Sequence, residues 1–162
     1  MKFTSNNNKV NEIKTDCLMV SVFNDGKLRG AAKSVNNSNG KVIDDFLKNK
    51  DIQGRIGQTR IIPVSGKTYK RIVLVGCGKF EDFTQNIYRK AHISALKKIS
   101  LTNHKSVVSL LHDGLQKIDN KENAYRLSRV LAESWHAISY QYTTTKSSNF
   151  KKLSLKKIQI GT

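Results

Sequence analysis

Two unbroken apolar runs constrain the fold of this chain more than any other feature. The first extends from Cys17 to Phe23 and ends at Asn24-Asp25-Gly26, and the second extends from Arg71 to Val75 and ends at Gly76-Cys77-Gly78. Short apolar runs that are rich in β-branched residues and closed by a glycine turn are typical of buried strands. The sequence therefore predicts a sheet with these two runs inside it.

Strand patterns and helical patterns alternate along the rest of the chain. Apolar residues recur at helical spacing in four segments, at about 28–35, 42–47, 87–99 and 121–142. Further strands are predicted at Thr59–Val64, Val107–Leu111 and Lys152–Ile160, the last with a register break at Lys156-Lys157. Thr59–Val64 and Arg71–Val75 are predicted to form a hairpin, in which Pro63 marks a strand end or an edge position. The alternation predicts one α/β domain over residues 1–162, a three-layer α/β/α sandwich with a mixed sheet.

A large positive charge raises the question of a nucleic-acid partner. The 162 residues include 29 Lys and Arg against 12 Asp and Glu, a formal charge of +17. The excess is spread along the chain, and the acid-free C-terminal stretch concentrates it. The lysines there are the candidate nucleic-acid contacts: Lys146, Lys151, Lys152, Lys156 and Lys157. A solvated lysine surface, or a face that matches an acidic partner domain, explains the same pattern.

The turn after the second apolar run is a candidate anion-binding turn. Gly76, Gly78 and Lys79 follow a buried strand, where α/β folds place phosphate-binding turns. The dinucleotide fingerprint requires a glycine three residues after Gly78, and Glu81 stands there instead. A tight turn that leads out of the sheet explains the two glycines as well.

No self-contained active site is visible in the sequence, so no catalytic or metal-binding residue is predicted. The four histidines lack metal-ligand spacing; His92 and His136 are expected at the surface or its boundary, and His112-Asp113 follows a strand. Cys17 and Cys77 lie inside apolar runs, which predicts buried, reduced thiols. The absence of a membrane-length apolar run and of a signal-peptide pattern predicts a cytoplasmic protein that does not contact a membrane.

Two motifs resemble those of a known enzyme family. Residues 54–64 read G-R-I-G-Q-T-R-I-I-P-V, and residues 71–79 read R-I-V-L-V-G-C-G-K. In their order and spacing they are similar to the N-terminal domain of the leucyl aminopeptidase (cytosol aminopeptidase) family. The early strand, the long helix and the basic final strand fit the same domain, whose fold is similar to that of macro domains.

The resemblance implies the N-terminal, non-catalytic domain of a longer cytosolic metalloexopeptidase that removes N-terminal amino acids from peptides. In that family a larger C-terminal domain holds two Mn or Zn ions, and none of its ligand sequence occurs here. The chain alone is therefore expected to be inactive. Its expected partners are the catalytic domain and further copies in a hexamer, and its expected role is to support assembly and access to the active site.

Two other functions stay open on the sequence. The domain is alternatively a DNA-binding module that acts through the C-terminal lysines together with Arg126 and Arg129, as the resemblance also implies for some bacterial members. A pocket for ADP-ribose or another nucleotide near Gly76–Lys79 ranks last, because no macro-domain ligand loop is matched residue by residue.

Overall fold

A computed structural model describes residues 1–66, 68–115, 121–144 and 153–161 of the chain. The six strands are β1 (Lys2–Asn6), β2 (Thr15–Val22), β3 (Thr59–Pro63), β4 (Tyr69–Gly76), β5 (Ser106–Ser109) and β6 (Lys157–Gly161). The four helices are α1 (Gly30–Ser38), α2 (Val42–Lys48), α3 (Gln85–Ser100) and α4 (Lys121–Thr144). Short 3₁₀ turns lie at Val10–Glu12, Phe80–Asp82 and Leu111–Leu115.

All six strands form one sheet in the order β1-β6-β5-β2-β4-β3. Every neighbouring pair is parallel except β3 with β4, which is the predicted antiparallel hairpin. Pro63 lies at the end of β3 on the outer edge, where its missing amide hydrogen breaks no ladder bond inside the sheet. The predicted mixed sheet is therefore confirmed.

Helices cover both faces of this sheet and bury a separate apolar core on each side. One core packs α3 and α4 against the sheet, with Tyr88, Leu96, Leu131 and Trp135 among its members. The other packs α1 and α2 against the opposite face through residues such as Val35 and Ile43. These two cores make the three-layer α/β/α sandwich that the alternation of strands and helices predicts.

Two strands differ from the sequence prediction. β1 is not predicted, because K-F-T-S-N has no apolar run, and its residues are mostly exposed at a sheet edge. The last strand is predicted from Lys152 but begins at Lys157 among the described residues. The backbone amides of Lys156 and Lys157 both donate to the Lys105 carbonyl, at 2.8 and 3.1 Å, so the regular ladder starts only after this doubled bond, at the predicted register break.

Candidate functional site at the carboxyl edge of the sheet

Strands β2, β4 and β5 run parallel, so the segments that follow them meet at one edge of the sheet, here called the carboxyl edge. Open α/β sheets bind ligands at this edge. The loop that precedes β3 also reaches it, because the amide of Gly57 donates to the Gly76 carbonyl over 3.0 Å. Both motifs of the family resemblance are thereby brought into contact.

Glycines hold these two motifs together with no space for a side chain between them. A Cβ added to Gly76 would lie 1.9 Å from the carbonyl oxygen of Arg55, and one added to Gly54 would lie 2.5 Å from the backbone of Phe23. The Gly78 amide donates to the Gly54 carbonyl over 2.8 Å. We call this contact of residues 54–58 with 76–78 the glycine interlock. It is backbone packed on backbone, which only glycine permits.

The side chain of Gln58 stabilises the loop of residues 53–58 through hydrogen bonds to its backbone. Its side-chain oxygen Oε1 accepts hydrogen bonds from the backbone amides of Gln53 and Gly54, at 2.9 and 3.1 Å, with Arg55 at 3.4 Å. Its Nε2 donates to the Gln53 side chain over 2.6 Å. One amide side chain therefore satisfies a run of loop donors that the short turn leaves without carbonyl partners. The sequence motif includes Gln58, but its role is visible only in the structure.

The interlock occupies the backbone of the predicted anion-binding turn. The amides of Gly76, Cys77 and Gly78 donate to the carbonyls of Gln58, Val22 and Gly54 over 2.7, 2.9 and 2.8 Å. Gly78 has a φ of +75°, which suits the tight turn that the sequence also allows. Anion binding at Gly76, Gly78 and Lys79 stays a prediction, and it depends on the exposed Lys79 side chain.

Asp113 closes the carboxyl edge over the start of α1. Its Oδ2 accepts a hydrogen bond of 2.5 Å from the Ala31 amide, one of the amides that lack a partner within the helix. Its Oδ1 lies 3.4 Å from Nε2 of His112. Burial, offset in part by the Asp113 charge, lowers the pKa of His112. Asp113, of the pair noted in the sequence, thus serves as a helix cap supplied from another element.

His92 is fully buried beneath this edge, so the expectation of a surface or boundary position is wrong for it and correct for the exposed His136. Its Nδ1 lies 2.9 Å from the Tyr88 carbonyl and must donate, because a carbonyl only accepts. Its Nε2 lies 2.7 Å from the Ser109 hydroxyl. In the neutral ring this nitrogen has no proton, so it accepts a hydrogen bond from that hydroxyl. Burial lowers the pKa of His92 to about 4. The ring is a neutral structural link between α3 and β5, fixed at both nitrogens.

The two cysteines are buried and unpaired with each other, as the sequence predicts. Burial raises the pKa of Cys17 and of Cys77 to about 12, so neither carries an appreciable thiolate fraction at neutral pH. Neither is suited to nucleophilic chemistry.

Arg29 lies on the outside of the carboxyl edge. Its guanidinium carbon lies 4.0 Å above the centre of the Phe80 ring and 5.3 Å from that of Phe23. The same guanidinium pairs with the Asp25 carboxylate at 2.5 Å. A hydrogen bond to Asp25 raises the pKa of Arg29, so the side chain stays charged where it covers the aromatic rings.

At the opposite, amino edge of the sheet a single carboxylate joins three strands. Asp16, in β2, accepts from the backbone amides of Lys105 and Ser106 at 2.8 and 3.3 Å, and its other oxygen lies 3.0 Å from the Lys70 ammonium. Burial opposes ionisation here, but these hydrogen bonds outweigh it and lower the pKa of Asp16. No pattern in the sequence indicates this contact.

The predicted nucleic-acid contacts are only partly described. Lys146, Lys151 and Lys152 lie outside the described residues. Lys156 is exposed and Lys157 is half-buried at the amino edge, beside Lys105. Their contact with a nucleic acid stays a prediction.

The described residues do not fit the metal ions that the family resemblance implies. No group of three or more His, Cys, Asp or Glu in that part of the chain is placed to hold a metal ion. None of the helices in this part of the chain has the length and apolar character of a membrane span.

Comparisons with known proteins agree with the motifs. Residues 19–149 match the model of the cytosol aminopeptidase family, N-terminal domain. A probable cytosol aminopeptidase of Haemophilus ducreyi is 28% identical over 148 residues, and the cytosol aminopeptidase of Haemophilus influenzae is 26% identical over 149 residues. Each alignment covers 91% of this chain and 29% of the relative, so the chain spans under a third of the length of these relatives.

Solved structures share the fold at low sequence identity. A mutant of tomato leucine aminopeptidase superposes with a TM-score of 0.80 at 15% identity, covering 100% of this chain and 32% of that one. The macrodomain of Mycobacterium tuberculosis DarG gives a TM-score of 0.68 at 13% identity, covering 98% and 97%. The bottromycin maturation enzyme BotP in complex with Mn gives 0.57 at 17% identity, covering 91% and 27%. Taken with the family match, the chain belongs to the cytosol aminopeptidase family and carries its N-terminal domain.

Proposed function

We propose that this chain is the non-catalytic domain of a longer aminopeptidase, which removes N-terminal residues from peptides. Its role is to support assembly, as a hexamer, and to shape access to a metal site located elsewhere. The family match over residues 19–149 and the 29% coverage of the relatives support this proposal. A cytoplasmic location belongs to it as well, because two buried, reduced thiols suit a reducing compartment and the relatives are named cytosol aminopeptidases.

The observation that carries the proposal is that the described side chains of catalytic type are either held in a neutral form or already bonded within the fold. His92 is held neutral at both ring nitrogens, and the thiols of Cys17 and Cys77 ionise only near pH 12. The Asp113 carboxylate is used to cap α1. The Mn or Zn ions of the proposed parent enzyme therefore require ligands outside the described residues, and no catalytic step is assigned to this chain.

An assay of the 162-residue chain tests the catalytic half of the proposal. Purified protein with added Mn²⁺ or Zn²⁺ is expected to leave leucyl-p-nitroanilide intact, whereas the full-length Haemophilus influenzae relative, assayed in parallel, is the positive control. Metal-dependent turnover that co-purifies with the chain would overturn the proposal.

A chimera tests the supporting role. In the Haemophilus influenzae relative, this chain replaces the segment to which it aligns. We expect a metal-dependent aminopeptidase with the oligomeric state of the relative. The matched control carries the macrodomain of Mycobacterium tuberculosis DarG, which has the same fold at 13% identity to this chain, and it is expected to be inactive. Equal activity of the two chimeras would show that the family-specific surface contributes nothing.

A further inference from the structure

A basic groove lies between α3 and α4, on the face of the sheet away from α1 and α2. It has a volume of about 360 Å³ and is lined by Gln85, Arg89, Arg126, Arg129, Val130 and Glu133. This volume is within the range of small-molecule sites, about 300–1,000 Å³. Neither the family motifs nor the proposed function uses these residues.

The groove contains more positive than negative charge, and an acidic residue holds two of its arginines in place. The Glu133 carboxylate binds two guanidinium groups at once, with one oxygen on Nη2 of Arg89 and the other 2.8 Å from Nε of Arg129. It therefore ties α3 to α4 and orients both arginines along the groove. Three guanidinium groups and one carboxylate leave two positive charges among the lining residues.

The donors that remain suit a tetrahedral dianion. Arg129 uses Nε for Glu133, so its two Nη nitrogens are outside that contact. Arg126, one helical turn earlier, makes no ion pair with a described side chain, and both Arg126 and Arg129 are exposed. Guanidinium groups bind phosphate with paired hydrogen bonds, and a charge of −2 balances the excess, which a monocarboxylate does not.

The N-terminus of α3 adds to the positive electrostatic potential of the groove. Gln85 is the first residue of this 16-residue helix and lines the groove, and the first turn of α3 contains no acidic side chain. The positive end of the helix dipole therefore lies beside the arginines without an acid of its own turn to neutralise it.

We propose that the groove between α3 and α4 binds the phosphate group of a small ligand through Arg89, Arg126 and Arg129, with Glu133 as the residue that positions two of them. Val130, which is buried and lines the groove, supplies an apolar contact for the part of the ligand next to the phosphate. The proposal does not depend on the aminopeptidase role.

Calorimetric titration of the 162-residue chain at low ionic strength tests it, with inorganic phosphate, AMP and acetate as probes. We expect saturable binding of phosphate and of AMP, and none of acetate. The double variant R126A/R129A is expected to bind phosphate about tenfold more weakly, since each exposed charge contact contributes up to about fivefold. The matched control K90A/K97A also removes two charges, from exposed positions of α3 that do not line the groove, and is expected to stay within twofold.

Three results would overturn the proposal. They are the absence of saturable phosphate binding, equal weakening by R126A/R129A and K90A/K97A, and competition by acetate at the same concentration as phosphate. Binding of a DNA duplex without saturable binding of phosphate or AMP also counts against it, because that result indicates a diffuse polyanion surface. Circular dichroism and the urea midpoint of each variant establish that the fold is retained.

Discussion

The two edges of the sheet are joined by different means. At the carboxyl edge, loops meet backbone to backbone in the glycine interlock, and the titratable His92 beneath them is fully buried. At the amino edge, one partly exposed carboxylate, Asp16, connects β2 to the start of β5 and to Lys70 of β4. The carboxyl edge therefore has no room for another side chain, whereas the amino edge is joined by one side chain at the surface.

The difference shows why the residue types of the family motif are restricted. The glycines and Gln58 of residues 54–58 and 76–78 are required by contact geometry, whereas the amino edge needs only a hydrogen-bond acceptor of the right reach. The two edges should also respond differently to acid. The carboxyl edge contains His92, whose pKa burial lowers to about 4. The amino edge contains Asp16, whose pKa is lowered, together with His104, whose pKa burial also lowers.

The largest effect is expected for Gly76→Ala. The new Cβ would lie 1.9 Å from the Arg55 carbonyl oxygen, so the interlock must open, at a cost of about 4 kcal/mol or more in the free energy of unfolding. Urea denaturation measures it. The control is Gly26→Ala, where nothing lies within 4 Å of the new Cβ. Its positive φ of 70°, which Gly76 does not share, should by itself cost about 1–2 kcal/mol. Equal losses in the two variants would show that steric contact is not the cause.

His92 should make the carboxyl edge sensitive to mild acid. Its pKa is about 4 in the folded chain against an ordinary value of 6.5, so the unfolded state takes up the proton first as the pH falls. Stability contributed by the neutral ring is complete above about pH 6.5 and falls by about 3 kcal/mol down to pH 4. The free energy of unfolding, measured across this range, should lose most of its slope in His92→Gln.

His112 has a lowered pKa as well and contributes to the same window. His112→Gln is therefore the matched comparison, and it should keep the larger part of the slope that His92 provides. A wild-type curve that is flat between pH 6.5 and 4 would contradict the assignment.

Gln58→Leu should cost less than Gly76→Ala, about 2 kcal/mol, because it keeps the side-chain volume and removes the oxygen that accepts the loop amides. Gln53→Ala is the control, since it removes a side chain that contacts Gln58 and leaves those amide bonds in place. Thermal or urea unfolding separates the two. A loss in Gln53→Ala as large as that in Gln58→Leu would assign the stability to the side-chain pair instead.

The smallest effect is expected at the amino edge. Asp16→Asn should cost about 1 kcal/mol at neutral pH, because the amide oxygen still accepts one bond but the charge is lost. The pKa of Asp16 is lowered on folding, so its contribution is present above the ordinary pKa of 3.8 and is lost as the pH falls below that value.

The acid limb of the stability curve below pH 4 should therefore become shallower in Asp16→Asn. The limb between pH 6.5 and 4 should change only through His104, whose pKa the Asp16 charge raises. Lys70→Ala removes only the exposed ion pair and should cost under about 0.5 kcal/mol. A change in the upper limb of Asp16→Asn that persists in the double variant Asp16→Asn/His104→Gln would show that the two edges are not independent, because the Asp16 charge also acts on His104 at the same edge.

Most of the fold was predictable, because the spacing of apolar residues along the chain indicates which side of each strand or helix is buried. The runs that became β2 and β4, the hairpin and all four helices follow directly from it. β1 was missed for the complementary reason: as an edge strand it is held by backbone bonds to β6, and its side chains are mostly exposed. Leu155 misled the prediction of the last strand, because it is buried in the core before the regular ladder begins.

The candidate site was less predictable, because its contacts join distant residues. Asp16 binds amides about 90 positions away, and Asp113 caps a helix 82 positions earlier. His92 looked like a residue with polar neighbours in sequence, whereas folding places its ring between Tyr88 and Ser109. From the sequence, Arg126 and Arg129 were candidate DNA contacts, and Arg89 was one of the outward-facing residues of another helix. The groove that joins them requires α3 beside α4.

The pairing of the first strand with the last has a consequence for synthesis of the chain. Lys2 of β1 lies opposite Lys157 of β6, and Thr4 meets the Gln159 side chain across 155 positions of sequence. β1 therefore leaves the ribosome long before its neighbour exists, and it can join the sheet only after nearly the whole domain has emerged. Such non-local pairing slows folding, so completion of this edge is expected to be the last step in the folding of this domain.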